Sequence, residues 1–437
     1  MRCIIVGGGI AGITAAWKLA PVCQVLLLEQ RSVLGGRTSS LVDRVSGEEV
    51  DTGQHLLMGC YQTTLQLLAD LGTPQWLYQW RDWRIHFRTV EGKAGVLSPG
   101  LRMSAAARFL RALVRFSLLS IPDRWRLIYG ITKLVTSASA GQSCEQFLRE
   151  VRQTPAAHQI FWRPLILATL NAEPADVDVS LLRTVVQQAF LGSVHEGAFV
   201  IPRRGLSALI APITSWIQRY GGAVRLQAAV EQVCLNGDSA AGVQLRGGEV
   251  IPADVVVLAV PPYALQKLGV PITVPPLHYS PIFSIYLWFA EELPLPPMTA
   301  LVGTTVQWVF HRQQLQFQTS SQFQTSLVLV ISAARDLLSI PVSQLVEHCW
   351  EEVRSVFRLP PSVRPAHFRV MKEVKATPVF TPAVQLQRPA VQTPLQNVFL
   401  AGDWIQTGLP ATIESAAYSG VLAATAVQQY LQKGASG

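Results

Sequence analysis

The chain has 437 residues and a formal net charge of +8, with 49% hydrophobic and only 15% charged side chains. That balance excludes a disordered or low-complexity chain and provides for a large core, in two domains or one two-lobed unit. Cys3, Cys23, Cys60, Cys144, Cys234 and Cys349 stand without CxxC or metal-ligand spacing, which excludes a disulfide scaffold and a metal centre and predicts reduced thiols in a cytoplasmic protein.

In chain order, an apolar strand over residues 4–6 runs into Gly7-Gly8-Gly9-Ile10-Ala11-Gly12, then a helical stretch, a strand over residues 24–28, and Glu29. A strand starting this early is expected to leave no room for a leader peptide. Strand, glycine turn, helix, strand, acid is the order that holds a dinucleotide. Gly7 allows the tight turn, Gly9 lets the backbone approach a pyrophosphate, Gly12 lets helix and strand pack closely, and Glu29 accepts from the adenosine ribose. The helix N-terminus offers free N–H groups to the phosphates. Gly35-Gly36-Arg37 forms a loop able to close over a long cofactor, with the Gly36 backbone and the Arg37 guanidinium toward its phosphates or ribityl chain. Asp51-Thr52-Gly53-Gln54-His55 leads into a helix expected over residues 56–71, followed by an aromatic, strand-like stretch over 76–87.

Residues 104–191 read as mostly helical, with helices including 161–171 and 181–190. In the helix expected over 104–119, Arg108, Arg111 and Arg115 recur at spacings of three and four beside Phe109, Leu110, Leu113, Phe116 and Leu118. A cationic amphipathic helix of this kind lies in the headgroup layer of an anionic bilayer, so peripheral membrane contact is expected. No window is long and apolar enough to span one. The positive charge comes with no nucleic-acid motif, so no nucleic-acid partner is expected. Pro202-Arg203-Arg204-Gly205 is a turn before a helix reaching residue 220. Short strands follow over 223–226, 229–235 and 240–245, and residues 254–259 form a continuous apolar run suited to a buried parallel strand. Further strands are expected over 282–289, 326–331 and 398–400, with helices over 342–356 and 410–431.

Gly402-Asp403 at the end of the last strand places a carboxylate for the ribityl hydroxyls or pyrophosphate. Backbone N–H groups near Thr412 and Ile413 can face a flavin pyrimidine ring, where a helix N-terminus stabilises the charge of the reduced form. With Gly35-Gly36-Arg37, this favours FAD over NAD. No cysteine lies between residues 402 and 411, so the flavin is expected to be non-covalent. No second glycine-rich turn follows residue 200, so the electron donor is external. The fold class is α/β. A discontinuous Rossmann-like FAD-binding lobe is expected from 1–80, 200–270 and 390–437, and a second α+β substrate lobe with a mixed sheet and helices from 81–199 and 271–389.

Four segments sharpen the reading: Asp51 to Tyr61, Phe161 to Asn171, Pro202 to Leu209 and Ala401 to Ala416. Together with the glycine turn, the chain resembles the flavin amine oxidase and carotenoid desaturase superfamily over nearly its whole length. Within it, the chain is similar to the hydroxysqualene dehydroxylase branch of squalene and hopanoid synthesis. Thr52 stands where that branch is expected to carry Asn, and Ser415 where it is expected to carry Gly. The resemblance implies hydride transfer from reduced FAD to a protonated allylic alcohol in a long apolar channel, with the isoprenoid arriving from a membrane. It places Gln54 and His55 beside the flavin, with His55 as the first candidate for the general acid, and Val230 beside the adenine. Asp51 braces that loop, while Asn171 and Arg163 orient the hydroxyl or line the channel. Glu414 is expected as an ion-pair partner and Tyr418 as a lesser proton donor. The alternatives are a carotenoid-type desaturase running the hydride the other way, an amine oxidase, and a non-catalytic isoprenoid carrier.

Overall fold

The structure is a computed structural model that describes residues 1–99, 104–316 and 322–435. Five parallel strands form its nucleotide-type sheet, in the order Ala223–Arg225, Gln24–Leu28, Arg2–Val6, Val255–Leu258, Val398–Leu400. Side chains alternate across the strands, so each face is built from every second residue. Ile5, Leu27, Val257 and Phe399 pack against the helices Ile10–Leu19 and Ile413–Ala435. Ile4, Val6, Leu28, Val256 and Leu400 pack against a three-stranded antiparallel sheet, Val230–Asn236, Ser239–Leu245 and Val250–Pro252. That small sheet occupies the crossover between two parallel strands, and both faces are therefore dry, which is why these strands read as uninterrupted apolar runs.

A seven-stranded mixed sheet has the order His367–Pro378, Tyr279–Phe289, Thr325–Ser332, Trp308–His311, Met298–Val302, Ile85–Thr89, Ala94–Leu97. Its faces also alternate. Phe283, Ile285, Leu287, Leu327 and Leu329 lie under the helix Val342–Phe357, through Leu345, Cys349, Trp350 and Val353. Tyr286, Trp288, Val328 and Val330 face the opposite core, shared with the helices between residues 105 and 190.

Three sequence expectations are corrected. Residues 57–58 are a strand paired with Phe199–Pro202, and the helix begins only at Gln62. The helix from residue 105 stops at Val114, because Ser120 and Pro122 start a second helix, Ile121–Ser137. The stretches expected as helices over 161–171 and 181–190 are helical, the first entered through a π-turn, His158–Trp162, and the second ending in one, Val186–Phe190. Arg108 is not on the exposed side with Arg111 and Arg115: it is buried and donates to the Arg81 carbonyl at 2.9 Å. No described helix is long and apolar enough to cross a membrane.

Candidate functional site

The glycine turn has the geometry its sequence demands. Gly7 adopts φ +106°, a left-handed conformation costly for any residue with a Cβ. A Cβ on Gly12 would overlap the Gly7 carbonyl oxygen, so only glycine lets helix and turn meet. Gly9 is different: a Cβ there meets nothing within 4 Å. This is the open cradle at the N-terminus of the helix Ile10–Leu19, whose first N–H groups have no side-chain cap. Glu29, buried at the end of the second strand, accepts from the N–H groups of Gly8 at 2.7 Å and Arg31 at 2.8 Å. Its oxygens keep lone pairs for a further donor. The chain leading to Val230 is tied to the same spot, Ala228 N–H donating to the Glu29 carbonyl at 2.9 Å. Gly35 N–H donates to the Gly8 carbonyl at 2.8 Å, which lays Gly36 against Gly9.

The far end of the chain closes on the same place. Arg37 donates to the buried Asp403 carboxylate at 2.7 Å and to the Ala376 carbonyl at 2.6 Å. Burial opposes the charge on Arg37, but Asp403 outweighs it and the guanidinium pKa is raised. Gly402 N–H donates to Ser419 Oγ at 2.8 Å, and a Cβ on Gly420 would overlap the Ala11 carbonyl oxygen. The last helix thus crosses the first in backbone contact. Thr412 Oγ1 accepts from Ser415 N–H at 3.2 Å and so caps the start of that helix at Ile413.

Two buried positions on one face of the strand Tyr279–Phe289 hold the histidine loop. Ser284 Oγ accepts from Gln54 N–H at 3.3 Å, and Tyr286 Oη donates to the Asp51 carbonyl at 3.0 Å. Asp51 accepts from Ser40 Oγ at 2.6 Å and Leu206 N–H at 3.0 Å, bracing the loop against a distant helix start. His55 Nδ1 is buried and has no partner within the protein. Burial lowers the His55 pKa against the pull of Asp51 and a hydrogen bond to the Gly53 backbone, while burial raises that of Asp51 against the pull of His55 and the donors Ser40 and Leu206. Tyr279 Oη is a second buried, unpartnered polar atom, its pKa raised by burial and by Asp403 nearby.

The sequence model of the flavin containing amine oxidoreductases matches residues 10–428. The chain belongs to that family, and is a flavin-dependent oxidoreductase. It is 28% identical to hydroxysqualene dehydroxylase of Rhodopseudomonas palustris, over 97% of each chain. It is 24% identical to the 15-cis-phytoene desaturase of Glycine max, over 98% of this chain and 80% of that one. Among solved structures, cyclohexylamine oxidase of Brevibacterium oxydans superposes with a TM-score of 0.71 over 99% of both chains at 17% identity, which is a likeness of fold. The cradle suits the family's cofactor: open space at Gly9, uncapped helix N–H groups, and buried polar atoms at His55 and Tyr279 without partners.

Some expected site residues are spent elsewhere. Asn171, in the left-handed conformation at φ +48°, ends its helix, donates to the Ser280 carbonyl at 3.1 Å and Thr377 Oγ1 at 2.8 Å, and accepts from Ala333 N–H at 2.8 Å. Arg163 makes a two-pronged pair with Glu173 at 2.9 and 2.6 Å, half exposed. Both side chains are thus engaged by partners within the protein. Glu414 is not an ion-pair partner: its carboxylate accepts from the N–H groups of Thr63 and Thr64, capping the helix Gln62–Asp70. Tyr418 is exposed. Ser284, Tyr286 and Tyr279 escaped sequence reasoning. So did Arg388, a buried cation that donates to the carbonyls of Asp403 at 3.1 Å and Leu409 at 2.8 Å and also to that of Ile405. Burial lowers its pKa to about 10. Its signal was a lone arginine beside Pro389 in an uncharged stretch. Among the described residues, no three His, Cys, Asp or Glu side chains gather as a metal site.

Proposed function

We propose that the protein binds FAD non-covalently and carries out the reductive dehydroxylation of hydroxysqualene to squalene, as a cytoplasmic enzyme at a membrane surface. The observation that carries this is the near-full-length likeness to the Rhodopseudomonas palustris hydroxysqualene dehydroxylase, higher in identity than that to the Glycine max phytoene desaturase. Gly7, Gly9, Gly12, Gly36 and Arg37 would hold the phosphates and Glu29 the adenosine ribose, with Val230 beside the adenine. Gly402, Asp403, Thr412 and Ile413 would hold the ribityl and ring end. The segments 1–80, 200–270 and 390–437 act as the FAD-binding part, and 81–199 and 271–389 as the part that handles substrate and membrane.

The cofactor, when bound and reduced, supplies the hydride. The substrate hydroxyl must leave as water, which takes one proton, and the hydride then completes the carbon. His55 is the residue that delivers that proton, since its Nδ1 is buried without a protein partner. Ser284 and Tyr286 fix the loop that carries it. Gln54, whose amide donates to the His55 carbonyl at 3.4 Å, stiffens the same turn. An apolar substrate channel would exclude the water that could otherwise capture the cationic carbon. Electrons come from an external donor.

The test is anaerobic mixing of dithionite-reduced protein with hydroxysqualene. One squalene formed per flavin reoxidised supports the reading. A flavin that stays reduced, but is reduced in turn when the oxidised protein meets a carotenoid precursor, would replace it by the desaturase reading.

A further inference from the structure

The helix pair Ala105–Val114 and Ile121–Ser137 carries an unusual outer surface. Ile121, Trp125 and Tyr129, each four residues apart, are 66%, 62% and 47% exposed. They form one stripe, while Leu127, Ile131 and Leu134 of the same helix are buried. On the partner helix Leu110 and Val114, again four apart, are 45% and 42% exposed. Residues 105–137 contain Arg108, Arg111, Arg115, Arg124, Arg126 and Lys133 against a single acid, Asp123. Arg111, Arg115 and Arg126 are exposed, and the Lys133 ammonium stands 5.9 Å from the Tyr129 ring centre. Arg124 donates to the carbonyls of Leu119 at 2.8 Å and Val114 at 2.7 Å, which locks the turn between the helices. The Asp123 carboxylate accepts from the Ser120 hydroxyl, and its backbone N–H donates to that same oxygen.

An apolar cavity of about 250 Å³ lies between these helices, lined by Leu110, Leu113, Ile128, Ile131, Val135 and Leu191. Leu191 directly follows the π-turn Val186–Phe190, and Phe190 stacks on Phe109 with ring centres 4.7 Å apart. The inner wall of the cavity is therefore the edge of the main core, and its outer rim includes the exposed Leu110 and Thr132.

We infer that this helix pair docks on an anionic bilayer, with Ile121, Trp125 and Tyr129 inserted among the headgroups, and that the cavity receives a hydrocarbon chain from the membrane. An aromatic–aliphatic stripe flanked by arginines is the composition that settles at a lipid interface. Arginine excess supplies the attraction to anionic lipid, and the rigid turn presents both helices as one plane. That the received chain is the substrate's isoprenoid tail rests on the function proposed above; the docking itself does not.

The experiment uses flavin-loaded protein and vesicles of phosphatidylcholine with phosphatidylglycerol, free of any isoprenoid. The docked state predicts that the triple variant Ile121→Asp, Trp125→Asp, Tyr129→Asp loses co-sedimentation more than tenfold while keeping its flavin colour. Should that variant not fold, Trp125→Glu alone serves, with a loss of at least threefold. Arg111→Gln with Arg115→Gln weakens binding to the anionic vesicles only. Thr132→Trp, at the cavity rim, is expected to gain emission that acyl-chain-brominated lipid quenches by half or more. Binding by the stripe variants within twofold of the parent overturns the docking surface. If brominated lipid leaves the emission gained by the Thr132→Trp variant untouched, the cavity's role is overturned. Neither outcome depends on whether hydroxysqualene is turned over.

Discussion

The five-stranded and seven-stranded sheets solve the same packing problem and leave opposite traces in sequence. In the first, backbone meets backbone. The Gly7 turn, the Gly12 contact and the Gly420–Ala11 crossing tolerate no side chain, so the requirement is written as glycine at fixed spacing. In the second, side chains from distant segments meet. Ser284 and Tyr286 hold Gln54 and Asp51 across more than two hundred residues, and no local pattern announces such a pair. Backbone-built sites are legible one segment at a time; side-chain-built sites are legible only when folded.

The comparison breaks first at Gly12. Gly12→Val puts a branched side chain into the Gly7 carbonyl, and purified protein is expected without flavin absorption and with a lowered Tm. A yellow Gly12→Val protein of parental Tm would show that the turn is not close-packed.

His55→Ala comes next. It is expected to retain flavin and lose a factor of about 10²–10⁴ in kcat. Burial lowers the His55 pKa, so the protonated donor is scarce at neutral pH and the rate should rise as pH falls, through a midpoint below the ordinary value of about 6.5. Single-turnover rates against pH, with and without the substitution, measure both. A pH profile unchanged in His55→Ala would remove the residue from proton delivery.

A smaller effect belongs to Asp43, on the side-chain-built half. Its buried carboxylate accepts from Ser46 N–H at 2.8 Å and lies 3.0 Å from His367 Nε2 and 3.3 Å from Arg369. Burial works to raise its pKa, but the Ser46 hydrogen bonds and the cations prevail and hold it at about 2. A carboxyl whose folded pKa is depressed stabilises above its unfolded value and ceases to do so as pH falls through the folded one. The contribution of about 2 kcal/mol is thus present above roughly pH 4 and lost between there and about pH 2. Urea titrations of Asp43→Asn should differ from the parent by the full amount at neutral pH, by a shrinking amount as pH falls through about 4 to about 2, and hardly at all below about pH 2.

Arg163→Met is expected to do least. Its exposed pair with Glu173 is worth about 1 kcal/mol at most, and kcat should not change. A large loss of turnover there would return Arg163 to the substrate channel.

What the sequence disclosed follows the same division. The order of strand, glycine turn, helix and acid, the Arg37 loop and the Gly402-Asp403 strand end were each readable because their geometry is local. Arg37 and Asp403 belong to opposite ends of the chain, and each was still marked by its own glycine neighbour. The Leu57–Met58 strand was not readable, since its apolar run suits a helix as well and only pairing with Val200 and Phe199 decides it. Asn171 and Glu414 carry chemistry-capable side chains, yet tertiary partners turn both into helix caps. Arg108 shared the spacing of Arg111 and Arg115, but the inner face of its helix claimed it.

The central claim is that the first turn and the last helix grip opposite ends of one flavin. Gly9→Ala tests it most directly, because beyond the adjoining residues nothing lies within 4 Å of the added methyl. Equilibrium titration of the flavin-free proteins with FAD should show the variant binding at least about tenfold more weakly, ~1.4 kcal/mol, at an unchanged apoprotein Tm. Equal FAD affinity in Gly9→Ala and parent would mean that the cofactor's phosphates do not rest on this turn, and the account would be wrong at its root.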